Sequence, residues 1–328
     1  CIDCSEDRVL KKIFIDGEFG TTGIQIREHL KAHPEVTLIS IDEHAKKNLD
    51  EKKRLIADAD VTILCLPDLA AKEVVSAVKS IDCRLIDASS AHRTAEQWVY
   101  GLAELSFGQR EKIRHARQVT NPGCFATGAI LLLRPLILNG KVMTHSKLSI
   151  NAISGYSGGG AGMIKKYESK SPPFAHHVYG LNFNHKHLPE MTLYSGLEIE
   201  PIFTPAVGNF YRGMLVHIPL FLAPGVTPEQ IRECLEQYYE NEQFVNVASR
   251  EDCIAVSETK LDAQVISGSN KVDLYVCEDT SESDSSRAVL IARLDNLGKG
   301  ASTAAVQNMN IMLGFPERLG LAESAGAV

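Results

Sequence analysis

No apolar run in this chain of 328 residues approaches the length needed to cross a bilayer, and no signal peptide precedes its first strand-like segment. Neither membrane insertion nor a membrane partner is expected. Positive charge is also in short supply. The formal net charge is −7 at pH 7 and no basic patch is dense, which argues against a nucleic-acid partner. Cysteine is present without a framework: the eight residues at 1, 4, 65, 83, 124, 234, 253 and 277 share no repeated spacing. Without an export signal, that pattern implies reduced thiols and a cytoplasmic type of compartment; an organelle would look the same once a transit peptide was removed. Cys1 and Cys4 form a lone Cys-x-x-Cys. Zinc needs about four ligands and no second such pair exists, so residues 1–11 read as a disordered tail. The chain opens on Cys1 and not on Met, as a trimmed start would leave it.

What is present is ordinary for a globular protein, with 44% hydrophobic and 23% charged residues, in a chain long enough for two domains. Lys12-Ile13-Phe14-Ile15-Asp16 reads as a strand that runs into Gly17-Glu18-Phe19-Gly20-Thr21-Thr22-Gly23. A helix follows, carrying Ile24, Ile26 and Leu30. Strand, glycine-rich turn and helix form the context in which glycines let a backbone approach a pyrophosphate, with the helix N-terminus donating to it. The spacing is Gly-x-x-Gly-x-x-Gly and not Gly-x-Gly-x-x-Gly, so a tight turn without a ligand is the competing reading. Further units follow: strand 36–41, helix 51–57, the near-continuous apolar strand 61–66 ended by Pro67, helix 70–78 and strand 84–87. This alternation predicts an α/β fold, a doubly wound parallel sheet with its ligand at the carboxyl ends of the strands. Ser40, Asp42, Lys46 and Lys47 near the end of the second strand leave the choice between the two nicotinamide dinucleotides open.

Asn121-Pro122-Gly123-Cys124 precedes a long apolar run, which places Cys124 at a helix N-terminus. Unpaired N–H groups and the positive dipole end there favour a thiolate, so a depressed thiol pKa and a nucleophilic role are expected; a small buried hydrophobe is the alternative. Ser90 and Arg93 follow the strand 84–87, where Arg93 could clamp a carboxylate or phosphate or simply sit in a solvated loop. The strand 148–152 leads into Ser154-Gly155-Tyr156-Ser157-Gly158-Gly159-Gly160, an anion cradle or a hinge. In His185-Lys186-His187-Leu188-Pro189-Glu190 the two imidazoles suit an acid/base centre steadied by Glu190; a metal site and idle surface histidines are the rivals. Arg212 is a second candidate anion clamp before the strand 214–220. A helix over 227–239 N-capped by Thr227, strands 271–277 and 287–294, and a solvated hairpin loop at 279–286 complete a second, α+β domain. Asn296, Gly298, Lys299 and Gly300 form another phosphate-friendly turn before a closing helix that ends near Gly314 and is expected to pack back on the first domain.

These motifs, in this order over residues 12–314, resemble the N-acetyl-γ-glutamyl-phosphate reductase family in its shorter form, within the wider aspartate-semialdehyde dehydrogenase group. Phe19 departs from the histidine expected there. The resemblance implies a Rossmann-type domain from 12–123 plus 300–328, and a catalytic and dimerisation domain from 124–299. It implies NADP as cofactor, held by Gly17, Gly20, Thr21, Thr22, Gly23, Ser40 and Pro67, with Asn296, Gly298, Lys299 and Gly300 at the nicotinamide end. It also implies reduction of a small-molecule acyl phosphate through a Cys124 thioester in arginine biosynthesis, with no metal. His185 is favoured over His187 as acid/base, with Glu190 orienting the pair. Ser90, Arg93, Asn121, Ser154, Gly155, Tyr156 and Arg212 would bind substrate, in a homodimer or homotetramer. Another acyl phosphate, aspartyl or carrier-bound aminoadipyl, and a non-catalytic NADP-binding regulator are the remaining alternatives.

Overall fold

The computed structural model describes residues 9–169, 171–278 and 286–321. Its first part runs β1 (Lys11–Asp16), α1 (Thr21–Lys31), β2 (Val36–Ile39), α2 (Leu49–Asp58), β3 (Val61–Leu64), α3 (Asp68–Ala77), β4 (Leu85–Asp87), β5 (Val99–Tyr100), α4 (Gln109–His115) and β6 (Gln118–Thr120). The six strands lie in the order β2-β1-β3-β4-β6-β5, and each neighbouring pair is parallel. Successive side chains of a strand face opposite sides, and β1 uses both. Ile13 and Ile15 pack with Ile26 and Leu30 of α1, while Phe14 packs with Leu55 and Ile56 of α2 and Val74 and Val75 of α3. Burial on both faces is why β3 reads as near-continuous apolar sequence. The strand order reverses around β1, with β2 on one side and β3 on the other, and this opens a crevice at their carboxyl ends. The sequence pattern did not reveal β5, α4 and β6: the strands are two and three residues long, and α4 buries only Gln109 and Ile113. The chain is already paired at Lys11, and the Cys1–Cys4 stretch lies outside the described residues.

Next come α5 (Cys124–Leu138), β7 (Ser149–Gly155), α6 (Gly160–Tyr167), β8 (His176–Val178), α7 (Leu188–Ser195), β9 (Ile202–Gly208), β10 (Met214–Phe221), α8 (Pro228–Tyr239), β11 (Val245–Val247), α9 (Arg250–Glu258), β12 (Val272–Glu278), β13 (Arg287–Leu294) and α10 (Thr303–Leu313). Seven strands form a mixed sheet in the order β11-β12-β13-β10-β7-β9-β8. One face is covered by α5, with Ile231 and Leu235 of α8 and Met191 of α7 in the same core. Gly128 allows the close approach: a Cβ there would stand 2.8 Å from Val216 Cγ2. Pro135 inside α5 lacks the N–H that would bond the carbonyl of Leu131, and the Tyr239 hydroxyl donates to that carbonyl instead, at 2.8 Å. Thr227 caps α8 as expected, accepting from Gln230 N. The loop expected at 279–286 lies mostly outside the described residues. Among the described residues, no helix is long and apolar enough to cross a membrane.

The last helix returns to the first sheet, where Ala305, Val306, Met309 and Met312 join the cluster of Ile13 and Ile63. Next to it lies a buried polar junction. Lys299 is 1% exposed; its Nζ donates to Glu104 at 2.7 Å and to Gln307 at 2.6 Å. Arg110 extends the junction to Glu317 after α10 and Glu242 after α8. Burial raises the Glu104 pKa, but Lys299, Gln307 and Arg110 outweigh it and hold the carboxyl below its usual range. Removing one partner of such a pair leaves a buried uncompensated charge. Lys299→Met is therefore expected to cost about 3–5 kcal/mol in denaturant unfolding, with partial recovery in Lys299→Met/Glu104→Gln. A loss below about 1 kcal/mol would remove the junction from the account of stability.

Candidate active site

Cys124 is the first residue of α5, after Gly123 at the N-cap; no side chain caps this end and no acidic residue occupies its first turn. It lines a cavity of about 590 Å³ between the two sheets, with Arg93, His185, Lys186 and His187 on other walls. The segment after β13 closes over it. A π-helical turn, Gly298–Ser302, is held by Gly300 N to Asp295 O and Ser302 N to Leu297 O, both 2.9 Å. A Cβ on Gly300 would lie 2.6 Å from Cys124 Cβ, so the turn can approach only as glycine.

Behind Gly123 sits a buried charge pair. Arg93 Nη1 donates to Glu190 Oε1 at 2.8 Å, while Glu190 Oε2 accepts from the Tyr100 hydroxyl at 2.7 Å and from Gly123 N at 3.0 Å. Arg93 Nε also donates to Asn121 O at 3.0 Å. The expected role of Glu190 in steadying the histidines is thus corrected. Among the described residues its hydrogen bonds go to Arg93, Tyr100 and the start of α5. Gly123 is required by the same crowding, since a Cβ would fall 2.5 Å from both Glu190 Oε1 and His187 Nε2, and 2.6 Å from Arg93 Nη1.

The two imidazoles meet edge to face at 4.8 Å, and both flank Phe125. His185 Nδ1 accepts the backbone N–H of His187 at 3.1 Å, which leaves the proton of a neutral ring on Nε2, 3.5 Å from the Tyr179 hydroxyl. Burial lowers the His185 pKa to about 4, with Lys186 and Arg93 acting in the same direction. His187 is pushed well below its usual value, by burial first and then by Arg93. Both rings are therefore neutral near pH 7. Burial pushes the Cys124 thiol up to about 11; Arg93, the Phe125 N–H and Lys186 pull it down without offsetting that. Burial thus acts against the depressed thiol expected from the sequence. The helix N-terminus is present, but loss of water around the sulfur is the larger effect. The site therefore holds a protonated thiol near neutral imidazoles, and its nucleophile has to be made by proton transfer.

Several predicted residues face the same cavity: Thr21, Thr22, Asn121, Ser154, Gly155, Asn296 and Gly300. Asn296 is fixed at both ends, by Gly213 N at 2.8 Å and Ser157 Oγ at 2.9 Å. Others are engaged elsewhere. Arg212 pairs with Asp295 at 2.7 Å, and Ser90 is bonded through N and Oγ to Asp68. Tyr156 stacks on Tyr167 at 4.9 Å, Gly298 packs on Ser269 O, and Lys299 serves the buried junction. Gly17 and Gly20 line a second cavity of about 410 Å³ with Lys46, Lys47, Leu66 and Ala70. Pro67 caps α3 between the last two. Gly17 has φ +93°, and a Cβ on it would collide with Cys65 O; one on Gly23 would collide with Gly17 O. Ser40 donates to Glu18, and Asp42 caps a turn through His44 N. The N-terminus of α1 has no side-chain cap and no acid in its first turn, so its N–H groups suit a diphosphate. Tyr100, Tyr179 and Lys186 were not anticipated as site residues. Lys186 had a signal, its place between the two histidines; Tyr100 lies ninety positions from Glu190 and had none. Among the described residues, no group of three or more His, Cys, Asp or Glu side chains could hold a metal ion.

Residues 12–116 match the family model described as semialdehyde dehydrogenase, NAD binding domain, and residues 124–296 match semialdehyde dehydrogenase, dimerisation domain. An N-acetyl-gamma-glutamyl-phosphate reductase of Trichormus variabilis is 50% identical over 323 residues, covering 94% of this chain and 99% of that protein. One from Brucella anthropi is 46% identical over 312 residues, covering 92% and 98%. Among solved structures, aspartate semialdehyde dehydrogenase II of Vibrio cholerae complexed with ASA aligns with a TM-score of 0.69 at 15% identity, over 93% of this chain and 99% of that one. The aspartate semialdehyde dehydrogenase of Candida albicans with NADP aligns with a TM-score of 0.63 at 14% identity, over 93% and 99%.

A thiol held protonated by burial reacts with iodoacetamide only through its small thiolate fraction. Alkylation of Cys124 in the free protein, followed by peptide mass spectrometry, should rise about tenfold per pH unit from about pH 7 to about pH 9 without levelling off. A plateau reached below about pH 8 would show that the helix end outweighs burial after all.

Proposed function

The chain belongs to the semialdehyde dehydrogenase family, among the N-acetyl-γ-glutamyl-phosphate reductases, and on that premise we propose that it reduces N-acetyl-γ-glutamyl phosphate to N-acetylglutamate 5-semialdehyde with release of phosphate, a step of arginine biosynthesis that uses NADPH. The observation that carries the proposal is Cys124 at the head of α5, sharing one cavity with two neutral imidazoles and the cations Arg93 and Lys186. Cys124 Sγ attacks the acyl carbon as its proton passes to the imidazole pair, and phosphate leaves a thioester. His185 offers Nε2–H to the oxygen on which charge builds. The protonated pair then returns its proton as the thiohemiacetal collapses and the sulfur departs.

Lys186 and the N–H groups of the 154–160 loop are suited to the phosphate, and Arg93 to a carboxylate or phosphate at the floor. Arg212 leaves this set because, unlike Arg93, it does not line the cavity of Cys124 and is turned to Asp295. Gly17, Gly20, Thr21, Thr22 and Gly23 would hold the pyrophosphate, and Asn296 and Gly300 would face the nicotinamide end. The bound dinucleotide supplies the hydride. Lys46 and Lys47 beside the second cavity suit a 2′-phosphate; Asp42, which would favour a free ribose hydroxyl, accepts from His44 N through one oxygen, and Lys46 pairs with Glu43 at 3.4 Å. The domain division at 12–123 plus 300–328 and 124–299, a homodimer or homotetramer built on the second sheet, and a cytoplasmic setting belong to the same proposal. Exposed Phe221 and Val289 on the face of that sheet away from α5 support the assembly.

The test is the reverse reaction. Phosphate- and NADP-dependent oxidation of N-acetylglutamate semialdehyde should far exceed that of aspartate semialdehyde, and Cys124→Ser should lower it at least about 1,000-fold. The opposite substrate preference, or a serine variant near wild type, would sink the proposal. Gly123→Ala should lower kcat/KM at least about 100-fold, because its methyl displaces Glu190, His187 and Arg93 together. Unchanged kinetics there would mean that this floor does not position the reaction.

A further inference from the structure

The segment that leads from β8 to the two imidazoles is weakly tied to its own chain. Tyr179 N donates to Pro205 O at 3.0 Å. From Gly180 to Asn184, however, the described residues show no backbone hydrogen bond to another strand or helix; Phe183 N only closes back on Gly180 O at 3.2 Å. Phe183 is also the one described non-glycine residue with positive φ, +56°, a conformation that a side chain disfavours. Leu181 and Phe183 are each 65% exposed, and Phe174 is exposed just before β8. Yet Tyr179, Gly180, Asn184, His185 and Lys186 line the cavity of Cys124. A strained, apolar, outward-facing stretch at such a place calls for a surface that covers it.

The sheet register shows what lies alongside. Val178, the last residue of β8, stands opposite Ala206, and the row continues through Ile153 and Leu215 to Arg293. Residues directly opposite share a face. Ala152, Phe203, Val216 and Ala292, of the other parity, are in the core with α5. Val178 therefore lies on the face turned away from α5, with exposed Ile202, Phe221 and Val289. Arg293 on that face pairs with Asp273 at 2.7 Å, which lessens the like-charge repulsion between two such faces.

We propose that a second copy of this chain, seated two-fold on this face, also covers Val178 and the stretch of Leu181 and Phe183, and that the site of Cys124 is complete only in that assembly. The inference rests on the assembly proposed above for the second sheet, which the dimerisation-domain match of residues 124–296 supports. The partner acts as a positioning surface and touches no reacting atom. It holds the strained stretch in place and so sets where His185 and Lys186 stand in the cavity. In a lone chain the stretch relaxes, and the fraction of molecules with both groups in place falls.

The test separates the copies without touching the site. Ile202→Glu/Phe221→Glu alters two exposed positions of the face, and light scattering with circular dichroism should show a folded monomer. Its kcat per chain should be at least about tenfold below that of assembled wild type. Hydrogen exchange of the peptide over 180–187 should be at least about tenfold faster, while NADP+ affinity, set by the first domain, should stay within about twofold. Wild type diluted through its dissociation midpoint should lose activity over the same concentrations. A folded monomer with wild-type kcat and unchanged exchange at 180–187, or wild type that keeps its activity while it dissociates, overturns the inference and leaves the assembly standing. A variant that stays assembled overturns both, because this face is then not the contact. The exchange measurement uses no substrate, so it reads the inference independently of the reaction assigned to Cys124.

Discussion

Close packing around the partly exposed Cys124 at the cavity wall is the constraint on which the rest of the structure depends. Cys124 sits where α5 begins, and the Gly300 turn covers it at a distance that excludes any side chain at 300. Desolvation raises the thiol further than the helix end and the nearby cations lower it. A reactive centre of this kind does not hold a standing anion; it needs a base whose own proton is absent. The same burial meets that need by keeping His185 and His187 neutral. One physical effect thus sets opposite protonation states on partners that must exchange a proton.

The charges that remain inside are held by geometry. Glu190 accepts from Arg93, Tyr100 and Gly123 N, so it ties a loop after β4, the strand β5 and the head of α5 to the first turn of α7. Arg93 keeps donor capacity near the cavity because one carboxylate does not saturate its fork of N–H groups. Farther out, Lys299 with Glu104 and Gln307 performs the corresponding task for the turn that covers the sulfur. Two buried ion pairs, one on each side of Cys124, therefore fix the two segments between which it lies. Such pairs add modest net stability but are costly to break, which suits a position that must not drift.

The legible parts of the site were those in which one local segment contains its own reason. The Gly17–Gly23 turn follows a strand and opens a helix, and the Asn-Pro-Gly stretch stops the chain before a long apolar helix. His185, Lys186 and His187 adjoin within one motif. The illegible parts were side chains whose partner is remote. Arg212 read as a free clamp because Asp295 is more than eighty positions away, and Lys299 read as a phosphate ligand because Glu104 is nearly two hundred positions away. Glu190 was assigned to its sequence neighbours, the histidines, when its partners come from three other segments. Tyr100 could not be found at all, since nothing around it marks it as different from any core tyrosine.

Hydrophobic period and turn chemistry act over a few residues, so the sequence by itself determined the alternation of strand and helix, the parallel first sheet, the glycine turns and the position of Cys124 at a helix start. Ionisation state and side-chain pairing depend on which atoms displace water around a group, and those atoms arrive from distant segments. Only the tertiary structure could therefore decide that the thiol is held protonated, that the imidazoles are neutral, and that Glu190 serves Arg93 and Gly123.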